Sequence, residues 1–458
     1  MRIGIITSWM RLGWGVDLTL HFTASALTAL GNEVRLYTAE HDGSFAAAPY
    51  TIVHRPLAAD ALFPRLEWRA RKHVRYFADE PNDAYLIATQ PYFYYPWLLP
   101  QPTVNYEFGI VPTTGFPWSR KFMWSYMKAT QFYLYHPGAA AIVSNSDFTR
   151  RELPSFLQTK TRTIYHGVEH YDPLHPDHDF LFPSPLLVPD PRNPRCPVAA
   201  PVDRRSNREL REEFRRENDF ADSDVVGLYV GRINPVAQPY KGVAELFATI
   251  PKVMKDEKRL KWVMVGLGGE ADANMCRAAG MIPLLNLPDW QMRKIFVGCD
   301  FYASASKWEG FNLPIMEAQY FGRPVVAYNR AAHPEVVKAP TSGYLVNDAR
   351  EFERAIRELT ANEKARADLG REGARYAAGF TWRRCATAFE ELFHDIVQGW
   401  ESAGRRTSVV NDIDEDSGRT YGPPHAHPDH CRSPGPDTRR LQPPCGNSRG
   451  PGVGGDQP

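Results

Sequence analysis

Short apolar runs alternate with amphipathic stretches along two large blocks of the chain. The apolar runs of the first block are residues 2–8, 33–39, 84–89, 103–108, 140–146 and 161–167, and those of the second are 225–231, 261–266, 300–306 and 323–329. Runs this rich in Val, Ile and Tyr, separated by helical stretches, are typical of strands buried on both faces of a sheet. Repeated strand–helix units build parallel, doubly wound sheets. The pattern therefore predicts an α/β protein with two Rossmann-like, doubly wound domains that face one another.

Proline content and the helical pattern divide the chain further. Residues 172–207 are rich in proline, which disfavours helices and central strands, and they are predicted to form a linker or surface loop. Ser206 resembles the cap of a helix that opens the second block. The predicted segments are a first domain at 1–171, a second at 208–380, a last helix at 381–404 and a disordered tail at 405–458, whose few large apolar residues cannot offset the entropy of ordering.

Composition narrows the classes of function. The chain has 458 residues, 43% of them hydrophobic, and a formal net charge of +1, so no global charge attracts nucleic acid. The sequence contains no run of 18 apolar residues, so no membrane-spanning helix is predicted. Residues 2–8 resemble a first strand more than a signal peptide. The six scattered cysteines show no metal spacing and favour a reducing compartment. We expect a cytoplasmic protein, with peripheral contact at the inner face of a membrane as an open alternative.

The strongest chemical signal lies where an apolar run passes into a helix. Glu309 precedes this turn, Gly310 is in it, and Glu317 lies one turn into the helix that Pro314 helps to open. Asn312 is the expected cap of this helix. Free backbone N–H groups and the positive end of the helix dipole suit phosphate or hydroxyl groups. Two solvated glutamates beside an ordinary turn are the alternative, but the position at a strand's carboxyl end favours a ligand site.

Two further motifs carry glycine and positive charge. Arg232 ends the first apolar run of the second block, and Lys241 opens the next helix; together they can neutralise a diphosphate without metal. A strand-terminal arginine paired with a surface carboxylate is the alternative. After the first strand, Gly13 and Gly15 resemble part of a dinucleotide fingerprint, but Leu18 occupies the third glycine position, which disfavours a nicotinamide dehydrogenase. A simple tight turn is an equally good interpretation of this loop.

Glu309 and Glu317, with seven residues between them, resemble the paired-glutamate motif of family 4 retaining glycosyltransferases, which have the GT-B fold. The resemblance covers roughly residues 1–400 and includes residues 144–153, 166–169, Gly231 with Arg232, and Lys241 with Gly242. It implies a metal-independent transfer of a sugar from a nucleotide-sugar donor, bound by the second domain, to an acceptor on the side of the first. It also implies that the last helix crosses back onto the first domain.

The resemblance assigns roles to individual residues. Arg232 and Lys241 would bind the donor diphosphate, Glu317 the ribose, and Glu309 would lie at the transferred sugar as the catalytic candidate. Backbone amides would contact the sugar and phosphate, and Gly15 would line the donor site from the opposite domain; the amides are those of Gly310, Phe311, Asn312 and Leu313.

Two departures from the family pattern stand out. The loop at 233–240 is longer than is typical, and residues 105–109 contain no histidine where many relatives have one near the sugar. Glu107 is the candidate for that place. Another two-domain nucleotide-sugar enzyme, such as an epimerase or a phosphorylase, and a catalytically idle nucleotide-sugar-binding protein are the alternative functions.

The acceptor is not specified by any motif. It could be a glycan, a lipid-linked molecule or a small molecule, and the sequence points to no nucleic acid. Residues 62–76 and 116–135 are basic and aromatic, a composition that suits contact with an anionic membrane or an anionic acceptor. A solvated helix face with a buried aromatic side is the more common meaning of such stretches.

Overall fold

The structure, a computed structural model, describes residues 1–11, 15–43, 45, 48–55, 73–74, 77, 80, 82–182, 187–190, 193–199, 202–236 and 238–404. The predicted disordered tail at 405–458 lies outside these residues, as does the basic stretch at 62–76 except for residues 73 and 74. Gly13 of the glycine loop also lies outside them.

The first block forms a seven-stranded parallel sheet with the order β3-β2-β1-β4-β5-β6-β7. Its strands are β1 Arg2–Met10, β2 Glu33–His41, β3 Thr51–His54, β4 Ala84–Ile87, β5 Thr103–Glu107, β6 Ala141–Ser144 and β7 Thr161–Thr163. Successive side chains enter different cores: Ile5 and Leu36 pack on one face, and Ile6 and Tyr37 on the other. Both faces are therefore covered, as the continuous apolar runs predicted.

The second block forms a six-stranded sheet with the order β12-β11-β10-β13-β14-β15, again parallel throughout. Its strands are β10 Val225–Val230, β11 Leu260–Gly266, β12 Ile282–Leu285, β13 Phe301–Ser304, β14 Val325–Tyr328 and β15 Gly343–Val346. Val226 and Leu228 pack on one face, and Val225 and Tyr229 on the other. The predicted fold class is confirmed: the described chain contains two Rossmann-like α/β units.

Helices connect the strands and cover both sheets. In the described residues they are α1 Gly15–Ala29, α2 Trp118–Thr130, α3 Asp147–Arg151, α4 Ser155–Gln158, α5 His178–Leu181, α6 Asn207–Glu217, α7 Val243–Asp256, α8 Glu270–Ala278, α9 Met292–Gly298, α10 Leu313–Tyr320, α11 His333–Val336, α12 Ala349–Ala361, α13 Glu363–Ala377 and α14 Trp382–Ser402. None of the helices within the described part of the chain has both the length and the apolarity needed to cross a bilayer.

The proline-rich segment differs in part from its prediction. It contains the short helix α5 and a separate antiparallel ribbon, β8 Leu187–Asp190 with β9 Asn193–Ala199. Proline is compatible with a ribbon that joins neither large sheet, because few of its N–H groups need a partner. The predicted cap is confirmed: Ser206 Oγ accepts from Glu209 N at 3.3 Å, and the Glu209 carboxylate accepts from Ser206 N at 2.8 Å. The domain limits at 171, 207 and 380 stay predictions.

The last helix, α14, packs against the first sheet and α1. Trp382, Phe389 and Phe393 are fully buried in the same core as β1 and β2 residues. Glu169, which follows the first sheet, accepts from Trp382 N at 2.7 Å and from Val168 N at 2.9 Å. This buried carboxylate therefore ties the junction between the two sheets to the start of α14.

We predict that Phe389→Ala lowers the free energy of unfolding by about 3–5 kcal/mol, because a fully buried ring is replaced by a cavity. Urea denaturation measures the change. Thr387→Ala on the exposed side of α14 is the control and should change the stability by less than about 0.5 kcal/mol. Equal effects of the two substitutions would show that α14 does not dock on the first sheet.

Candidate functional site

A cavity of about 410 Å³ lies between the carboxyl ends of the two sheets. The first block contributes the start of α1 and the ends of its strands; these residues include Gly15, Val16, Phe108, Asn145, His166 and Tyr171. The second block contributes nearly all of the residues predicted from the sequence: Arg232, Lys241, Glu309, Gly310, Phe311, Asn312, Leu313 and Glu317. Parallel strands end at the same edge of a sheet, so residues far apart in the chain meet here.

Lys241 is placed by a close approach between two backbone segments. Gly242 has φ 67°, and a Cβ there would lie 1.9 Å from the carbonyl oxygen of Ala305. Only glycine fits this contact, which presses the start of α7 against the loop after β13. Lys241 Nζ thereby donates to both carboxylate oxygens of Glu309, at 2.9 and 2.8 Å. Ser306 Oγ donates to the same carboxylate at 2.7 Å, so Glu309 is held from two sides.

The loop before α10 touches the opposite sheet. A Cβ at Gly310 would lie 2.2 Å from the carbonyl oxygen of Phe108, at the end of β5. The glycine therefore allows the backbone of the loop to meet the first domain across the cavity. This contact brings the N–H groups that open α10 towards the space between the sheets.

Asn312 occupies the N-cap position that the sequence predicted, but its side chain does not cap the helix. It precedes α10 with φ 71° and makes no side-chain capping bond. Its amide Nδ2 instead donates to His333 Nε2 at 3.0 Å, while His333 Nδ1 donates to the carbonyl of Tyr328 at 2.8 Å. Burial lowers the pKa of His333, so the ring is neutral and accepts through Nε2. The left-handed backbone of Asn312 leaves the first N–H groups of α10 without a side-chain cap.

Glu317 is buried beside a histidine, His170, that no sequence motif had marked. His170 Nε2 lies 3.2 Å from Glu317 Oε1, although it is off the line of a linear hydrogen bond. Trp382 Nε1 donates to His170 Nδ1 at 3.2 Å. Since Nδ1 accepts, a ring proton is on Nε2, the nitrogen that lies nearest the carboxylate. The position of Glu317 thus depends on the junction and on the first residue of α14.

Asp289 is a further acidic residue of the cavity that the sequence did not reveal. It follows β12 and lines the cavity together with Gly266, Leu267 and Leu287. Burial raises the pKa of its carboxyl to about 6; His170 opposes this shift and Glu317 adds to it. Asp289 has no motif around it in the sequence, and it follows an edge strand, β12, that the apolar pattern did not predict. Its place at a strand end was therefore not recognised.

Glu107 is not among the described residues that line the cavity, which corrects its candidate role beside the sugar. Its side chain is buried within the first domain. The carboxylate accepts from Gly109 N at 2.7 Å and from Gln131 Nε2, and His136 Nε2 lies 3.0 Å from it. The residue ends β5 with its side chain turned into this polar network, whereas the next residue, Phe108, faces the cavity.

Glu335 links the two domains beside the cavity. Glu335 lies in α11 of the second block. Its carboxylate accepts from Asp147 N at 2.7 Å and from Phe148 N at 2.6 Å, the first N–H groups of α3. Tyr165 also donates its hydroxyl to this carboxylate at 3.0 Å. A carboxylate at a helix N-terminus is stabilised by the helix dipole. No local pattern marked Glu335, because its partners belong to the other domain and are distant in the sequence.

The cavity carries charges of both signs. Arg232 and Lys241 supply positive charge, and Glu309, Glu317 and Asp289 supply carboxylates. This arrangement suits a ligand with an anionic group flanked by hydroxyl-bearing rings, because the cations bind the anionic group and the carboxylates accept hydrogen bonds from the hydroxyl groups. Among the described residues, no group of three or more His, Cys, Asp or Glu side chains could hold a metal ion.

Two family models match the chain. Residues 15–171 match the model described as Glycosyltransferase Family 4, and residues 224–362 match Glycosyl transferases group 1, together more than half of the chain. The chain belongs to family 4 of the glycosyltransferases. The paired-glutamate motif that suggested this family lies within the second matched segment.

Known relatives and structures agree with this assignment. The chain is 26% identical to a D-inositol 3-phosphate glycosyltransferase of Corynebacterium aurimucosum over 50% of this chain and 54% of the relative. The chain spans about half the length of the curated relatives it matches. Its fold is similar to sucrose-phosphate synthase of Thermosynechococcus elongatus, with TM-score 0.65, 16% identity and coverage of 87% and 99%. It is also similar to Anabaena HepE solved with UDP and glucose, with TM-score 0.63, 16% identity and coverage of 86% and 100%. The GT-B fold implied by the resemblance is thus confirmed.

We predict that His170 positions Glu317 in this glycosyltransferase. His170→Leu removes the N–H beside the carboxylate and should weaken the binding of a nucleotide sugar, the donor that the resemblance implies, about tenfold, because a polar group next to a charge is lost. His170→Gln keeps an N–H donor and should restore most of the affinity. Initial rates across donor concentrations check this, with KM expected to rise and kcat to change little. A fall in kcat alone, or no rescue by glutamine, would contradict the prediction.

Proposed function

We propose that this protein transfers a sugar from a nucleotide-sugar donor to an acceptor hydroxyl, with retention of anomeric configuration. The observation that carries the proposal is the joint placement of Arg232, Lys241, Glu309 and Glu317 around one cavity at the carboxyl ends of two sheets. Family membership supports the transferase reaction. Retention rests on the resemblance to the retaining members of the family.

Lys241, Arg232 and the first N–H groups of α10 stabilise the departing diphosphate in this proposal. The bond from the anomeric carbon to the diphosphate oxygen breaks, and the acceptor oxygen bonds to the same carbon from the same face. The acceptor's proton passes to the leaving phosphate oxygen, so that charge and atoms balance. Preorganised donors aimed at a developing negative charge supply a large part of such rate enhancements.

The two glutamates have different tasks. Glu317, which lies beside His170, accepts hydrogen bonds from the ribose hydroxyls of the donor. Glu309 pairs with Lys241 and lies at the transferred sugar, where it orients the sugar and stabilises its positive charge. A diphosphate competes with Glu309 for Lys241, which couples the position of the glutamate to donor binding.

The donor class is a nucleoside diphosphate sugar, and the acceptor is a glycan, a lipid-linked molecule or a small molecule. Anabaena HepE, a structural neighbour, was solved with UDP and glucose, which supports a donor of this kind. Cys276, Cys299 and Cys385 are buried free thiols, in keeping with a proposed cytoplasmic location.

Lys241→Ala should lower transfer by about 10²–10³-fold, because it removes one cation that stabilises the leaving group. Lys252→Ala, an exposed lysine on the same α7, is the matched control and should leave the rate unchanged. The measurement is the release of nucleoside diphosphate from a panel of UDP- and GDP-sugars, with and without candidate acceptors. Unchanged hydrolysis and transfer in the Lys241 variant would overturn the proposal. Conversion of the donor sugar to an epimer without acceptor would assign the site to an epimerase.

Transfer should persist in excess EDTA, because protein cations and the start of α10 take the place of a divalent ion at the diphosphate. Rates with EDTA, with added Mg²⁺ and with added Mn²⁺ check this expectation. Complete loss of activity in EDTA that Mn²⁺ restores would show instead that the diphosphate is neutralised by a metal.

A further inference from the structure

Helix α2 stands out because its residues are almost entirely exposed. Of its 13 residues, only Thr130 is buried. An isolated helix of this length is marginally stable in water, and most helices in proteins depend on packing of an apolar face. The helix lacks a side-chain cap at its N-terminus. These features leave α2 without the packing within the described chain that stabilises an ordinary helix.

One exposed face of α2 is aromatic. Trp118, Phe122 and Tyr126 follow one another at i, i+4 and i+8, and their exposed fractions are 79%, 65% and 40%. The rings of Trp118 and Phe122 stack with centroids 6.1 Å apart. Beyond the helix, Tyr133 and Phe156 form a second exposed aromatic pair with centroids 6.0 Å apart. Large exposed apolar surfaces of this kind mark interaction sites.

The charge around this face has one sign. No acidic residue occurs between Glu107 and Asp147, whereas α2 carries Arg120, Lys121 and Lys128, all exposed. On a helical projection, Lys121 and Lys128 border one side of the aromatic stripe. Aromatic side chains flanked by lysine and arginine suit the boundary between lipid headgroups and acyl chains of an anionic bilayer.

We propose that the α2 face, defined as Trp118, Phe122 and Tyr126 with Lys121 and Lys128, docks on an anionic lipid bilayer. A second copy of the chain fits less well, because a two-fold contact through this face would bring the lysines of both copies together. The helix lies parallel to the membrane surface, with its rings among the acyl chains and its lysines at the phosphates.

Docking in this way brings the cavity to the membrane surface. Three residues before α2, a Cβ at Gly115 would lie 3.1 Å from Pro239 Cγ, in the loop that leads to Lys241. The start of α2 is therefore next to the mouth of the cleft. If the proposed transfer function holds, this placement favours an acceptor carried by the lipid surface; the docking itself does not depend on that function.

Sedimentation with vesicles tests the proposal on the full chain. We expect binding to phosphatidylcholine vesicles containing about one third phosphatidylglycerol, much weaker binding to phosphatidylcholine alone, and weakening at high salt. Replacing Lys121 and Lys128 by Gln should weaken binding about thirtyfold, since each lysine near such a surface contributes about a fivefold effect. The control, Lys255→Gln with Lys258→Gln on and beyond α7, changes the net charge equally and should bind like the wild type.

The aromatic stripe is tested separately. The combined variant Trp118→Ser, Phe122→Ser and Tyr126→Ser should lose at least about tenfold in vesicle affinity, whereas Leu174→Ser, another exposed apolar residue, should not. Brominated lipids should quench part of the tryptophan fluorescence of the wild type. Trp118→Phe should remove the quenched part while keeping vesicle binding. This measurement does not require the triple variant to fold.

Three outcomes would overturn the proposal. They are absence of wild-type binding to anionic vesicles, equal binding by the aromatic variant, and self-association in solution that the aromatic variant abolishes. The last would assign the face to a second copy. Retained nucleotide-sugar hydrolysis alongside lost vesicle binding would separate a failure of docking from a failure of the proposed transfer.

Discussion

The contact between Gly242 and the carbonyl of Ala305 is the constraint on which the candidate site depends. It holds the start of α7 against the loop after β13 at a distance that no side chain could tolerate. Lys241 and Glu309 are paired as a direct result. Because a cation and a carboxylate are fixed together by backbone contact, the cavity keeps opposite charges side by side.

The junction between the domains forms a second layer of support. Glu169 binds the start of α14, Trp382 donates to His170, and His170 faces Glu317. On the other side of the cavity, Glu335 accepts from the first N–H groups of α3. These contacts couple the carboxylates of the second domain to the position of the first, so relative movement of the domains would alter the site.

The outward surface of the first domain has a different character from the cavity. The cavity carries charges of both signs, whereas α2 is aromatic and basic, with no acidic residue nearby in the chain. A protein of almost zero net charge thus carries a local positive patch beside its cleft. Local charge, and not the total, determines which surface such a patch can approach.

The sequence alone determined the central strands of both sheets, because residues buried on two faces must be apolar and leave continuous runs. It did not reveal β3, β12 and β15, edge strands of four residues each that are less completely buried than the central strands. It also selected Arg232, Lys241, Glu309 and Glu317, since each lies next to a strand end or helix start. Tertiary structure decided that Glu107 turns away from the cavity, that Asn312 binds His333, and that His170 and Asp289 join the site. These outcomes depend on contacts between residues distant in the chain, which local pattern and spacing cannot specify.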